Sequence, residues 1–341
     1  MGIGMYLHHS ANPVSPNANK IVKAPVTVSP IEGEIDLHIY FPPDYDTADP
    51  PRTYPVVVNF HGGGFTIGSA TDDARWARAV NEYADAICVC VAYRLAPEHP
   101  FPTPVEDGVD AALYLVHHAD ELRVDPHRMA FSGFSAGGNM AFSVPIRFAE
   151  EYSLRRVKGN PEPIQVAPVA IAAWYPSLDF TVPRAERRGT NVRHDKEMAK
   201  FFHDLFDASY LHPPKEVDLH SPWLSPARAP DVMVKDLPKN IILYACEWDG
   251  LLLEAEKFRD RLRADFPEKS VVFKKILGVS HGFDRSPNPL TWDPKTEAMY
   301  KDVCDELRMV FYGPKIDGKI EDKDHEISLP TALEAQQILS H

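Results

Sequence analysis

Two stretches of this chain and two single residues could do chemistry together. GFSAGG (Gly133–Gly138) places one serine among small residues, between RMAFSGF, which reads as a buried strand, and AGGNMAFS, which reads as a helix. The stretch fits G-x-S-x-G, and a strand before it and a helix after it are the setting in which such a turn presents a serine. A side chain at Gly133 or Gly137 would obstruct the chain as it doubles back, and the helix start favours negative charge beside it. A hydroxyl is a weak nucleophile until a histidine takes its proton and a carboxylate orients that histidine. Of the 15 histidines, His281 in KKILGVSHGF lies well beyond Ser135, just after an apolar strand and beside a glycine. With the chain order Ser, Asp/Glu, His, the carboxylate falls in IILYACEWDGLL. Asp249 there occupies a strand-to-helix loop and can reach over a sheet. Glu247 is still close to the strand, and Asp284 is too near His281 in sequence to orient it.

The second stretch is HGGGF (His61–Phe65), directly after YPVVVNF. Acyl transfer develops an oxyanion that must be met by preorganised N–H donors. Consecutive glycines leave backbone N–H groups bare, and the N–H of Ala136, the residue after the serine, supplies another donor. A phosphate-binding loop is the rival, but neither GxxxxGK[ST] nor a GxGxxG opening a helix is present.

The elements that must position these residues follow an α/β rhythm. VTVSP and IDLHIYFP (35–42) alternate apolar and polar residues, which predicts half-exposed antiparallel strands after a polar arm over 1–23. YPVVVNF (54–60), AICVCVAY (86–93), DPHRMAFSGFS (125–135), VAIAAWYP (169–176), IILYACE (241–247) and VVFKKIL (271–277) read as buried strands. Helices are expected over 72–86, 105–122, the stretch after Ser135 (interrupted or kinked at Pro145), LLLEAEKFRDRLRADF and 296–313. Strands alternating with such helices imply a mostly parallel sheet flanked by helices. Residues 177–238 break the rhythm with an amphipathic helix (HDKEMAKFFHDLFDASYL) and several prolines. An insertion there would cap the strands' C-terminal edge, where ligands bind in this architecture. The segment after 314 is charged and weakly patterned, compatible with a docked helix or a loose tail.

Composition excludes several classes. The 341 residues carry a net charge of −13 with no basic run, which disfavours nucleic acid and anionic membranes and mildly disfavours anionic substrates. No apolar run approaches a membrane span, and no secretory signal is visible, so a cytoplasmic location is expected. The 4 cysteines, 88, 90, 246 and 304, lie in apolar stretches or lack metal-ligand spacing, and read as core residues. HEXXH is absent, so no metal or other cofactor is expected.

HGGGF, YRLAPEHPFP (Tyr93–Pro102), GFSAGGN, WDGLL and SHGF, in that order over about residues 54–285, resemble the hormone-sensitive-lipase-like branch of the α/β-hydrolase fold. The resemblance implies a mostly parallel central sheet flanked by helices, with a mainly helical cap. It divides the chain into an N-terminal arm and first strands (1–50), a core carrying the oxyanion loop and elbow (51–176), a cap insertion (177–238), a core carrying the acid and the histidine (239–313) and a tail (314–341). It implies a serine carboxylesterase for short- to medium-chain acyl esters. Ser135 would be the nucleophile, Asp249 the orienting acid and His281 the base and then acid. Gly63, Gly64 and Ala136 would supply oxyanion N–H groups, with Gly62 bracing or assisting. The alternatives are a same-fold enzyme doing acyl transfer, lactone opening or cyclisation, and a ligand receptor, the last disfavoured by the presence of His281. The expected partner is a small ester, and a homodimer is left open. Phe65, Phe134, Phe202, Phe206 and Trp223 are the candidate substrate-pocket residues. Two departures from the family stand out: Phe134 where Asp or Thr is usual, and Asp249–Gly250–Leu251 where the family has DPL.

Overall fold

The computed structural model describes residues 9, 14–159, 166–285, 294–313 and 324–339. YPVVVNF forms β3 (Tyr54–Phe60), buried along its whole length, as a β-branched run between two helical layers should be. It lies inside a sheet of order β1-β2-β4-β3-β5-β6-β7-β8-β9. The other strands are β1 (Lys20–Pro25), β2 (Glu34–Tyr40), β4 (Ile87–Ala92), β5 (Val124–Phe134), β6 (Ala170–Trp174), β7 (Asn240–Trp248), β8 (Ser270–Ser280) and β9 (Asp324–Ser328). β2 runs antiparallel to β1 and β4, and every other neighbouring pair is parallel.

The helices among the described residues are α1 (Ala74–Ala79), α2 (Thr103–His117), α3 (Ala136–Val157), α4 (Arg184–Gly189), α5 (Lys200–Tyr210), α6 (Asp231–Asp236), α7 (Leu252–Asp265), α8 (Lys295–Tyr312) and α9 (Ala332–Leu339). Alternation along β3 splits the core in two. Val56, Val58 and Phe60 pack with residues of α2, α3 and α7, whereas Val57 shares the opposite face with Trp76 of α1 and Leu307 of α8. All four cysteines are buried and unpaired. No described helix is long and apolar enough to cross a membrane.

Four local expectations are corrected. VTVSP is not a strand. The N–H groups of Thr27 and Val28 donate to the Asp110 carboxylate of α2 at 3.0 and 3.1 Å, so they cannot enter a ladder. The first strand is KIVKAP, which falls partly within the supposed arm; residues 1–8 and 10–13 of that arm lie outside the described residues. Helix α3 runs through Pro145 without a break, because a buried face including Met140, Val144 and Phe148 holds it against the sheet. The 72–86 stretch is a 3₁₀ turn (Ala70–Asp73), α1 and a π turn (Val80–Ala84), not one helix. The described part of the tail adds β9 to the sheet edge beside β8 and ends in α9.

Candidate active site

Ser135 links β5 to α3 with φ 56° and ψ −112°. A non-glycine residue held there costs on the order of 1–3 kcal/mol, which the surroundings must offset. They do so by close backbone packing. A Cβ on Gly133 would lie 2.2 Å from the Gly137 carbonyl oxygen, and one on Gly137 would lie 1.9 Å from that of Phe60. The Ser135 N–H donates to the Trp174 carbonyl at 2.9 Å. Asn139, one turn into α3, is fully buried and donates to the carbonyls of Ser177 and Leu224 at 2.7 and 2.8 Å. It ties the elbow to the 177–238 segment, a role that its place in GFSAGGN could have suggested.

His281 follows β8 and Asp249 follows β7, so both loops rise from the same C-terminal edge as Ser135. The three side chains form a line: His281 Nε2 lies 2.8 Å from Ser135 Oγ, and His281 Nδ1 lies 2.7 Å from Asp249 Oδ2. The Leu251 N–H donates to the other Asp249 oxygen at 3.0 Å. Burial by itself would lower the pKa of His281, but the adjoining Asp249 carboxylate outweighs it, and the net shift is upward from 6.5. An imidazole so placed can take a proton from Ser135, and Asp249 is placed to steady the cation that forms.

The rival carboxylates are engaged elsewhere. Glu247 accepts from the Gly278 N–H at 2.7 Å. Asp284 is buried and accepts from the hydroxyls of Tyr175 and Tyr300, each at 2.5 Å. Next to it, Arg285 donates to Asp73 and to the Asp72 carbonyl. Asp73 in turn accepts from Asn59 of β3 at 2.7 Å. The loop carrying His281 is thus bound to the strand that carries the glycine loop.

In that glycine loop, Gly63 and Gly64 have φ of 117° and 61°, a region that favours glycine. Among the described residues, no acceptor is bonded to their N–H groups. The N–H of Ala136 opens α3 and has no partner within the helix. YRLAPEHPFP braces this loop. The Tyr93 ring stacks on His61 at 4.2 Å, its hydroxyl donates to the His61 carbonyl, and the Ala96 N–H donates to that of Phe65. Arg94 grips Asp107 of α2 with both its N–H edge and its backbone.

A cavity of about 60 Å³ opens over Ser135. Phe65, Phe180, Phe206 and Tyr210 give it an aromatic wall. Phe65 stacks on Tyr210 at 3.8 Å, and the Phe206 ring lies directly on Gly64, where a Cβ would come within 2.3 Å of it. Of the five aromatic pocket candidates, Phe65 and Phe206 line the cavity and three do not. Phe134 points into the core, stacked on Trp174 with the Arg285 guanidinium 4.1 Å above its ring. Phe202 lies at the exposed end of α5, against Phe201 and Phe206. Trp223 donates to Glu150 of α3 at 2.8 Å. Phe180 was missed because it falls in an irregular stretch without periodicity.

The model for a family with the alpha/beta hydrolase fold matches residues 57–285. The chain is 35% identical over 218 residues to esterase LipI of Mycobacterium tuberculosis, covering 62% of this chain and 60% of LipI. It is 33% identical over 233 residues to carboxylic ester hydrolase LipN of the same organism, covering 67% of this chain and 57% of LipN. The matches thus span about three fifths of the length of these curated relatives. Among solved structures it is similar to EstE1, a carboxylesterase cloned from a metagenomic library, with a TM-score of 0.71 and 27% identity, covering 91% of this chain and 94% of that one. A Pyrobaculum calidifontis esterase gives a TM-score of 0.70 at 27% identity over 90% of this chain and 89% of that one. A match over most of the sheet, at the strands whose ends carry the glycine loop, the elbow, Asp249 and His281, makes this chain a member of the hormone-sensitive-lipase-like branch of the α/β-hydrolase fold.

Proposed function

We propose that the protein is a serine carboxylesterase that cleaves small acyl esters through an acyl-enzyme. The observation that carries this reading is the unbroken line from Ser135 through His281 to Asp249, with the serine on a strained turn at the floor of a cavity. Ser135 Oγ attacks the ester carbonyl as His281 Nε2 takes its proton. The carbonyl oxygen becomes an oxyanion and is met by the N–H groups of Gly63, Gly64 and Ala136, Gly62 holding the loop against the elbow. His281 then passes its proton to the departing alkoxide, and the alcohol leaves. Water, deprotonated by His281, attacks the acyl-serine, and collapse returns the acid and the free serine. Asp249 accepts the Nδ1 hydrogen bond throughout and favours the imidazolium in both tetrahedral states. Residues 177–238 act as a cap, because α5 sets Phe206 and Tyr210 over the glycine loop. The small aromatic-walled cavity favours short- to medium-chain acyl groups.

The test is hydrolysis of p-nitrophenyl esters from acetyl to dodecanoyl by wild type and Ser135→Ala, with fluorophosphonate labelling of both. We expect turnover of the shorter esters and labelling of wild type alone. A folded wild type that neither turns over any ester nor takes the label would refute the assignment.

A further inference from the structure

Helix α4 reads RAERRG, so Arg184, Arg187 and Arg188 stand at i, i+3 and i+4 on one face, and that face lines the cavity over Ser135. The helix can lie this close because residue 250 is glycine. A Cβ there would come within 2.9 Å of the Arg187 carbonyl oxygen and 3.4 Å of Arg188 Cα. The family's proline at this position would push α4 away from the acid loop.

The three arginines are not equally paired. Arg184 is satisfied by Asp207 through contacts of 2.7 to 3.1 Å. Arg187 is only 6% exposed, donates to Ser177 Oγ at 3.2 Å and stands 3.6 Å from Glu254 Oε2, its buried Nε and that oxygen both without a hydrogen-bond partner. Burial pushes Glu254 up to about 7, so its countercharge is incomplete at neutral pH. Arg188 has no carboxylate partner among the described residues. The cavity's own carboxylates are committed: Asp207 to Arg184, Asp249 to His281, and Glu197 to Asn191 with His203 4.0 Å away. Arg188 thus presents to the cavity a guanidinium without a counterion, and a charge-assisted pair with a carboxylate is the strong bond such a group makes.

We propose that the substrate supplies the counterion Arg188 lacks: the site takes esters that carry a second, ionised carboxyl group, as half-esters of dicarboxylic acids do, and Arg188 binds that carboxylate while the buried charge of Arg187 favours it from behind. The inference rests on the reading of Ser135 as the nucleophile. The −13 net charge opposes it only mildly, because exposed charges are screened beyond about 10 Å at ordinary salt, whereas Arg188 acts at contact.

The experiment compares monoethyl with diethyl esters of succinate, glutarate and adipate by titrating released acid, in wild type, Arg188→Gln and Arg188→Lys, with fluorophosphonate labelling in parallel. Arg188 is chosen because it is partly exposed and its replacement spares the buried Arg187–Glu254 contact. At one chain length at least, wild type should show the higher kcat/KM on the monoethyl ester. Arg188→Gln should lower the monoethyl-to-diethyl ratio about tenfold or more, and Arg188→Lys should restore part of it. A wild type that prefers the diethyl ester at every length, or a ratio that Arg188→Gln leaves unchanged, overturns the inference while labelling of Ser135 keeps the esterase reading intact. Absence of both turnover and labelling removes the esterase reading and this inference with it.

Discussion

Gly137→Ala tests whether the elbow's close packing is what sets the site. The added Cβ would sit 1.9 Å from the Phe60 oxygen, 2.5 Å from the Phe60 carbonyl carbon and 2.7 Å from the His61 oxygen. These are backbone atoms at the end of β3, and none can swing aside. Non-bonded carbon contacts settle near 3.5 Å, so the start of α3 and the end of β3 must part by on the order of 1 Å or more. β3 leads into Gly62–Gly64, and α3 begins next to Ser135. The displacement therefore opens between the nucleophile and the proposed oxyanion donors. A misplacement of about 1 Å costs about 10²-fold in rate. Overpacking of this kind costs about 1–3 kcal/mol, or roughly 2–10 °C in Tm, so the variant should remain folded at room temperature. The assay is kcat/KM on p-nitrophenyl butyrate, with thermal melts on the same preparations. Gly62→Ala is the graded case, its Cβ 3.1 Å from the Phe134 oxygen, and Gly189→Ala is the control, its Cβ meeting nothing within 4 Å. Activity should fall in the order Gly189→Ala, Gly62→Ala, Gly137→Ala. A folded Gly137→Ala variant within about threefold of wild type would refute the reasoning, since a shift of this size cannot be that mild.

His281 must be neutral to act as base, so the acid limb of kcat/KM should lie above 6.5, and Asp249→Asn should move it downward while cutting kcat by about 10³- to 10⁴-fold; a limb at the same pH in both proteins would break the link. The same pairing stabilises the fold fully below pH 6.5 and ceases to do so as pH rises through the raised folded value, which melts of wild type and Asp249→Asn across that range would read out. Phe206→Ala should clear the space above Gly64 and shift the best p-nitrophenyl ester to a longer acyl chain; an unchanged chain-length profile would place the acyl group elsewhere. Arg285→Gln leaves Asp73 and Asp284 buried without their cation, a loss of about 3–5 kcal/mol, or roughly 10 °C in Tm. Burial already raises Asp73 above the usual carboxylate range, so protonation should relieve the variant, and its deficit in Tm should shrink from pH 8 toward pH 5.

The residues placed in line at the site were legible because their chemistry demands particular partners. A serine at a strand-to-helix turn calls for a histidine and a carboxylate, and chain order left Ser135, Asp249 and His281. The buried strands were legible from their β-branched runs. What failed was context supplied by distant residues. VTVSP alternates like a strand, yet Asp110, some 80 positions away, takes its N–H groups. Phe134 looked like a pocket residue because it adjoins the nucleophile. Alternation along β5 puts it instead on the face of Ser132, which accepts from the Trp76 indole inside the core. Trp223 sits in a proline-bounded stretch with no period to orient it, so nothing local told whether it faced the cavity. The α4 arginines were invisible for a related reason: a six-residue helix gives little periodic signal, and its orientation depends on Gly250 in a loop far along the chain.

Because the site hangs on the ends of four different strands, it belongs to the finished sheet and to no part of it. Ser135 and His281 are 146 positions apart. Closing a loop of that size costs about 4 kcal/mol of chain entropy, more than one hydrogen bond returns. The pairing of β7 and β8 with the rest of the sheet must therefore precede the contact. During synthesis Ser135 leaves the ribosome well before His281, and a chain stopped short of β8 carries the elbow without the base proposed for it. If the proposed mechanism holds, regain of activity on refolding accordingly reports the pairing of β7 and β8 with the rest of the sheet.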